Sequence, residues 1–186
     1  MLHAHILGID DAPFAKGQTD PVPIVGVMME GADLVESVAL ASFPVDGDRV
    51  TDFLADWVAG LRSHSSLQGV VLGGITIAGL GVIDITSLSE QLMAPVLVAT
   101  RREPTDAGLT AALRSASLAD RIPVVERSPR ARRITDGLFL ACAGIEANAA
   151  TEMVRSTLRK AQLPEPLRLA HLIGRAIVTG ESRGRV

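Results

Sequence analysis

Three apolar runs fill most of the chain up to Val45, and each is cut off by residues that turn a backbone. His3-Ala4-His5-Ile6-Leu7-Gly8-Ile9 runs into Asp10 and Asp11. Val22–Met29 follows the punctuation of Pro13, Gly17 and Pro21, and Leu34–Val45 stops at the turn pair Asp46-Gly47. Three consecutive strands with short connections predict an antiparallel meander. After it, Asp48 is expected to cap a helix whose apolar positions Val50, Leu54, Trp57 and Leu61 recur at helical spacing. Strands read at Gln68–Leu72, Pro95–Ala99, Pro123–Glu126 and Leu138–Ala143 then alternate with helices at Asp84–Met93, Asp106–Leu118 and Glu146–Ala161. A last helix begins at Pro164. This order describes one α/β domain over 1–179, built on a sheet of mixed direction, with a polar tail over 180–186.

Apolar residues make up 47% of the 186 positions but aromatic ones only 3%, and tyrosine is absent. The core must therefore be built from Leu, Val, Ile and Ala, which suits parallel strands covered by helices on both faces. No window approaches the ~20 apolar residues of a membrane-spanning helix, and no charged leader precedes an apolar stretch and cleavage site. Cys142 is the single cysteine and cannot form an internal bridge, so a reduced, cytoplasmic setting is expected. A net charge of -3 argues against a generally basic nucleic-acid binder, leaving only local contact patches. The apolar composition is compatible with a homodimer.

The acids carry the chemistry. Asp10 and Asp11 fall where the first strand should end, and Asp46, Asp48 and Asp84 follow later runs. Carboxylates gathered at strand ends suit a hard cation such as magnesium, which takes oxygen ligands and keeps positions open for a phosphate. Side chains alternate along a strand, so Asp10 shares a face with Ile6 and Gly8 while Asp11 turns away. A plain turn before Pro13 explains the same residues equally well. Asp46 and Asp48 flank Gly47, where a turn and a helix cap account for them without any function. The glycine-dense segment from Leu72 to Asp84 would let the backbone approach a ligand or turn tightly. It lacks the third glycine of a dinucleotide fingerprint and the Gly-Lys-Ser/Thr of a phosphate-binding loop. His3 and His5 share one strand face, with no third metal ligand apparent from spacing. Two basic groups stand out: Arg127, Arg130, Arg132 and Arg133 in a short loop, and Arg168, His171 and Arg175 as one stripe on the last helix.

Taken in order, Ile6-Leu7-Gly8-Ile9-Asp10-Asp11-Ala12-Pro13-Phe14, Val45-Asp46-Gly47, Gly74-Ile75-Thr76-Ile77-Ala78-Gly79 and Pro164-Glu165-Pro166-Leu167-Arg168-Leu169-Ala170-His171-Leu172-Ile173 resemble the endonuclease dU-like family. That family is mostly archaeal and related to endonuclease V. The resemblance covers nearly the whole chain. It implies a ribonuclease-H-like fold and a magnesium-dependent endonuclease, with manganese as the alternative ion, cutting DNA at deaminated bases such as deoxyuridine or deoxyinosine. Position by position, it implies that Asp10 is the leading metal carboxylate, that Asp46 takes the place of a second acid, and that Arg101 stands where the relatives of endonuclease V keep a lysine. His171 resembles their late histidine. Asp84 is a further candidate metal ligand, and Arg130, Arg132, Arg133, Arg168 and Arg175 are candidate DNA contacts. One departure matters: the family reads Asp-Gly-Ile after its fourth strand, where this chain reads Gly73-Gly74-Ile75. A degenerate member that binds nucleic acid or a partner without cutting is the alternative, and a small-molecule binder using the Gly73–Gly81 loop is the third reading.

Overall fold

Aliphatic residues at alternate positions assemble the first three strands. In this computed structural model, which describes residues 4–183, β1 (His5–Asp11), β2 (Val22–Glu30) and β3 (Leu34–Phe43) form the expected antiparallel meander. His3 and residues 184–186 of the tail lie outside the described residues. The chain continues through α1 (Val50–Ala59), β4 (Gly69–Leu72), a two-stranded hairpin of β5 (Thr76–Ile77) and β6 (Gly81–Val82), α2 (Ile85–Leu92) and β7 (Val96–Thr100). It ends with α3 (Asp106–Ser115), α4 (Ile122–Arg127), β8 (Arg132–Thr135), β9 (Leu138–Ala143), α5 (Ala147–Ser156) and α6 (Glu165–Thr179).

The main sheet has seven strands in the order β3-β2-β1-β4-β7-β9-β8. Its centre, β1, β4 and β7, is parallel, and β9 and β8 return antiparallel at the far edge. Alternation along β1 sorts the core: Leu7 and Ile9 pack toward α1 and α2, while Ile6 faces the side covered by α5 and α6. Both layers are aliphatic, as a chain poor in aromatics requires.

Three expectations need correction. Pro123–Glu126, read as a strand, is the core of α4: Ile122 and Val125 are buried three apart against Leu113 and Val82, a helical spacing, and Pro123 sits in the first turn, where a missing N–H costs nothing. The basic stretch after Pro129 is an edge strand, β8, rather than a loop. Asp48 does not cap α1. Arg49 occupies the cap position at φ 54 with no side-chain cap bond, and Asp48 only accepts from the Arg49 N–H.

Candidate active site

Two glycines dictate where α6 lies. A Cβ on Gly8 would stand 2.2 Å from the carbonyl carbon of Pro166 and 2.3 Å from the Leu167 nitrogen, so the first turn of α6 rests directly on the β1 backbone. Two turns later Gly174 sits against Ala12, where a Cβ would meet Cα at 3.2 Å. The helix thus follows β1 from Gly8 to Ala12, and His171, between the two contacts, arrives above Asp10. His171 Nδ1 and Asp10 Oδ2 are 2.8 Å apart. The hydrogen bond to Asp10 raises the His171 pKa above its ordinary value, against burial and the nearby Arg175 charge.

This pair stands at the carboxyl ends of the parallel strands, where α/β sheets open a crevice for ligands. The cleft, about 910 Å³, is lined by Asp10, Gly73, Arg101, Arg102, Glu103, His171 and Arg175 among others. A smaller pocket of about 160 Å³ shares Thr100, Glu103 and Pro104 with it and continues between Ile75, Val98, Pro129 and Arg130. Of the residues singled out from sequence, the fold therefore gathers Asp10, Arg101, His171 and Arg175 on one cleft, with Arg130 in the adjoining pocket.

The other candidate acids are engaged elsewhere. Asp46, at φ 54, accepts from the Leu80 N–H through Oδ1 at 2.7 Å, and its carbonyl accepts from Arg121, which also binds the Leu80 carbonyl. Asp46 thus latches the β5–β6 hairpin and is not among the residues that line the Asp10 cleft. Asp11 does the same from the other side, accepting from Ala78 N–H at 2.7 Å, and burial, then the neighbouring Asp10 charge, raises its pKa. Asp84 caps α2 through the N–H groups of Thr86 and Ser87 and takes a two-pronged contact from Arg127. Burial pushes its carboxyl up, but the Ser87 N–H and Arg127 together hold it below the usual range. Asp84 lines a recess with Arg121 and Arg127, separate from the cleft that holds Asp10. We expect Asp46→Ala to cost about 1 kcal/mol, the loss of a hydrogen bond to a half-buried donor, measured as a shift in the urea midpoint. Undiminished stability would return Asp46 to the list of functional acids.

The basic candidates divide in the same way. Arg168 is drawn back onto buried Glu165, with contacts of 2.6–3.0 Å, and Arg132 donates to Thr151 at 2.7 Å. Arg133 pairs with Asp136. These three contacts take Arg168, Arg132 and Arg133 out of the set lining the cleft, leaving Arg101, Arg102 and Arg175 as its cationic rim.

As a place for magnesium, the donor chemistry fits one ion. Asp10 offers a carboxylate on an open cleft, and magnesium is commonly held through one or two carboxylates, water and a substrate phosphate. A second acid is missing at the point where it would matter. A Cβ at position 73 would lie 3.9 Å from Asp10 Oδ1 and 3.8 Å from Leu167, ordinary contacts, so an aspartate there would fit beside Asp10.

Among solved structures, the fold matches the crystal structure of a protein of unknown function from Archaeoglobus fulgidus with TM-score 0.87 and 29% identity, covering 95% of this chain and 99% of that one. It also matches endonuclease V of Ciona intestinalis in complex with inosine-containing DNA, at TM-score 0.60 and 10% identity over 90% of this chain and 82% of that chain. Endonuclease V of Streptomyces avermitilis aligns at TM-score 0.57 and 17% identity, over 90% and 78% of the two chains. The ribonuclease-H-like architecture expected from the resemblance is therefore the one observed. In sequence, a UPF0215 protein of Methanothermobacter thermautotrophicus is 37% identical over 183 residues, 96% of this chain and 90% of that protein. No helix among the described residues is long and apolar enough to cross a membrane. With the match to the Endonuclease dU family running from residue 3 to residue 178, the chain belongs to that family.

Proposed function

We propose that this chain is a metal-dependent endonuclease that cuts DNA at deaminated bases, deoxyuridine first among them. The observation that carries the reading is the Asp10–His171 pair at the foot of a cleft rimmed by Arg101, Arg102 and Arg175. A phosphodiester needs cations along its path and a polar, proton-bearing centre at the bond to be cut. Held by Asp10, water and a substrate phosphate, magnesium or manganese would neutralise charge on that phosphate and lower the pKa of a bound water. Arg101 and Arg175 bind the flanking phosphate oxygens. His171 fixes the Asp10 carboxylate through Nδ1 and leaves its other ring nitrogen to the same phosphate. The small pocket beyond Thr100 receives the base, held between aliphatic walls rather than stacked on a ring. A homodimer is part of this proposal, supported by the exposed Leu34, Val35, Val38 and Leu40 of edge strand β3.

Gly73 favours a second reading, a protein that binds damaged DNA without cutting it, because two-metal phosphoryl transfer needs acids to hold both ions. Cleavage of an end-labelled duplex carrying one deoxyuridine, with and without magnesium or manganese, separates the two. We expect metal-dependent product from the natural protein and about tenfold more from Gly73→Asp, accompanied by tighter binding of manganese in a spin-resonance titration. Product from Gly73→Asp alone would establish the binding reading. No product from either, with no preference for the deaminated duplex in binding, would overturn both.

A further inference from the structure

A second set of metal-type donors lies at the end of the sheet opposite the cleft. His5 opens β1, and Glu30, ending β2, is its partner in the ladder. Glu36 comes from β3 by a different route: Met28 pairs with Ser37 and Met29 with Val35, so Glu36 is the extra residue of a bulge, which re-aims a side chain out of strict alternation. One ligand atom from each of the three lies within 4.8 Å of the other two, and among the described residues no other trio of His, Cys, Asp or Glu converges in this way. His5 Nδ1 and Glu36 Oε2 are already 2.7 Å apart.

Two carboxylates this close repel each other unless positive charge stands between them. The hydrogen bond to Glu36 raises the His5 pKa, which favours a proton on the imidazole as one source of that charge. A single proton leaves the trio net negative, whereas a divalent cation neutralises both carboxylates. One imidazole nitrogen and two carboxylate oxygens form a mixed N/O set that selects borderline first-row ions over magnesium and leaves a fourth position for water. We propose that His5, Glu30 and Glu36 form a zinc-type divalent-cation site that clips the bulged edge strand β3 to β2 and β1. Five positions of β1 separate His5 from Asp10, about 17 Å at ~3.3 Å per residue, so this site is distinct from the cleft. Chain spacing could not disclose it. Its ligands are set by ladder register and a bulge, which is why two histidines alone pointed to no metal.

The test uses untagged protein carrying Asp10→Ala and His171→Ala, which removes the donors of the cleft, titrated with zinc against a chromogenic chelator and followed by thermal unfolding. We expect one equivalent of zinc to bind and to raise the melting temperature. Adding His5→Ala or Glu36→Gln should weaken binding by about tenfold or more and abolish the zinc-dependent rise. Glu30→Gln, which keeps shape and removes charge, should do the same. Binding that is absent, or unchanged by all three substitutions, would overturn the proposal. So would a His5→Ala variant that loses the same stability with and without zinc, because His5 and Glu36 would then be an ordinary ion pair.

Discussion

Gly8→Ala should be the most damaging conservative substitution in the chain, lowering stability by about 3 kcal/mol and dismantling the candidate site with it. The added methyl would meet Pro166 C at 2.2 Å, Leu167 N at 2.3 Å and Pro166 O at 2.4 Å. All three are backbone atoms, so no rotamer change relieves the contact. Restoring ordinary separation at 3.4 Å needs a displacement of about 1.2 Å (3.4 minus 2.2), which the start of α6 must supply. That turn buries Leu167 and Glu165, the partner of half-buried Arg168, and the helix beyond it buries Ala170 against Val25, Val27 and Met29. Set against a total stability of about 5–15 kcal/mol for a native protein, the loss is a large fraction. A 2.8 Å contact between His171 and Asp10 does not survive a shift of that size. The urea midpoint should fall, and the His171 ring resonances should move toward those of an unpaired imidazole. Gly108→Ala is the contrast: nothing lies within 4 Å of a Cβ there, and within α3 alanine should raise stability by about 0.5–1 kcal/mol. Equal midpoints for Gly8→Ala and the natural protein would mean that α6 is not seated on β1 as described.

The parts of this arrangement that could be read from the sequence are those fixed by neighbours in the chain. The period of two in Ile6-Leu7-Gly8-Ile9 predicts that Asp10 and Asp11 part company, and the structure has Asp10 against α6 and Asp11 against the hairpin. The spacing of three and four between Arg168, His171 and Arg175 predicts a common stripe, yet only His171 and Arg175 line the cleft. Glu165, three residues before Arg168, captures it, a local ion pair that the sequence contains and that phosphate-seeking attention to basic residues overlooks. Asp46 and Asp84 show the opposite limit. Their carboxylates are the right type at a plausible place, but Leu80, Arg121 and Arg127 reach them only through tertiary packing. The hairpin of β5 and β6 escaped notice because two-residue strands are too short to show a period. Glu103, from the loop after β7, lines both cavities and carried no sequence signal at all.

Asp10→Asn should reduce metal-dependent cleavage by on the order of 10³-fold, about 4 kcal/mol at 1.36 kcal/mol per tenfold. The amide keeps the size of the side chain and removes its charge. It therefore withdraws the carboxylate that the first strand delivers to the cleft beside His171, and with it the proposed anchor for an oxygen-seeking cation. A second readout follows the pair itself, whatever the activity. In the natural protein the hydrogen bond from Asp10 is the largest cause of the raised His171 pKa, opposed by burial and by Arg175. Without the carboxylate's charge the largest raising influence is lost while burial and Arg175 still oppose, and the His171 titration followed by NMR should move down. Stability should follow with a definite sign. A histidine whose folded pKa exceeds its unfolded value contributes stability that is complete below about pH 6.5 and fades as pH rises through the folded pKa. The natural protein should accordingly lose stability relative to Asp10→Asn over that interval as pH rises, and the two should converge above it as far as this pair is concerned. An unchanged His171 titration in Asp10→Asn would sever the pair. Retained cleavage would show that the ion, and the chemistry, are held by other residues of the cleft.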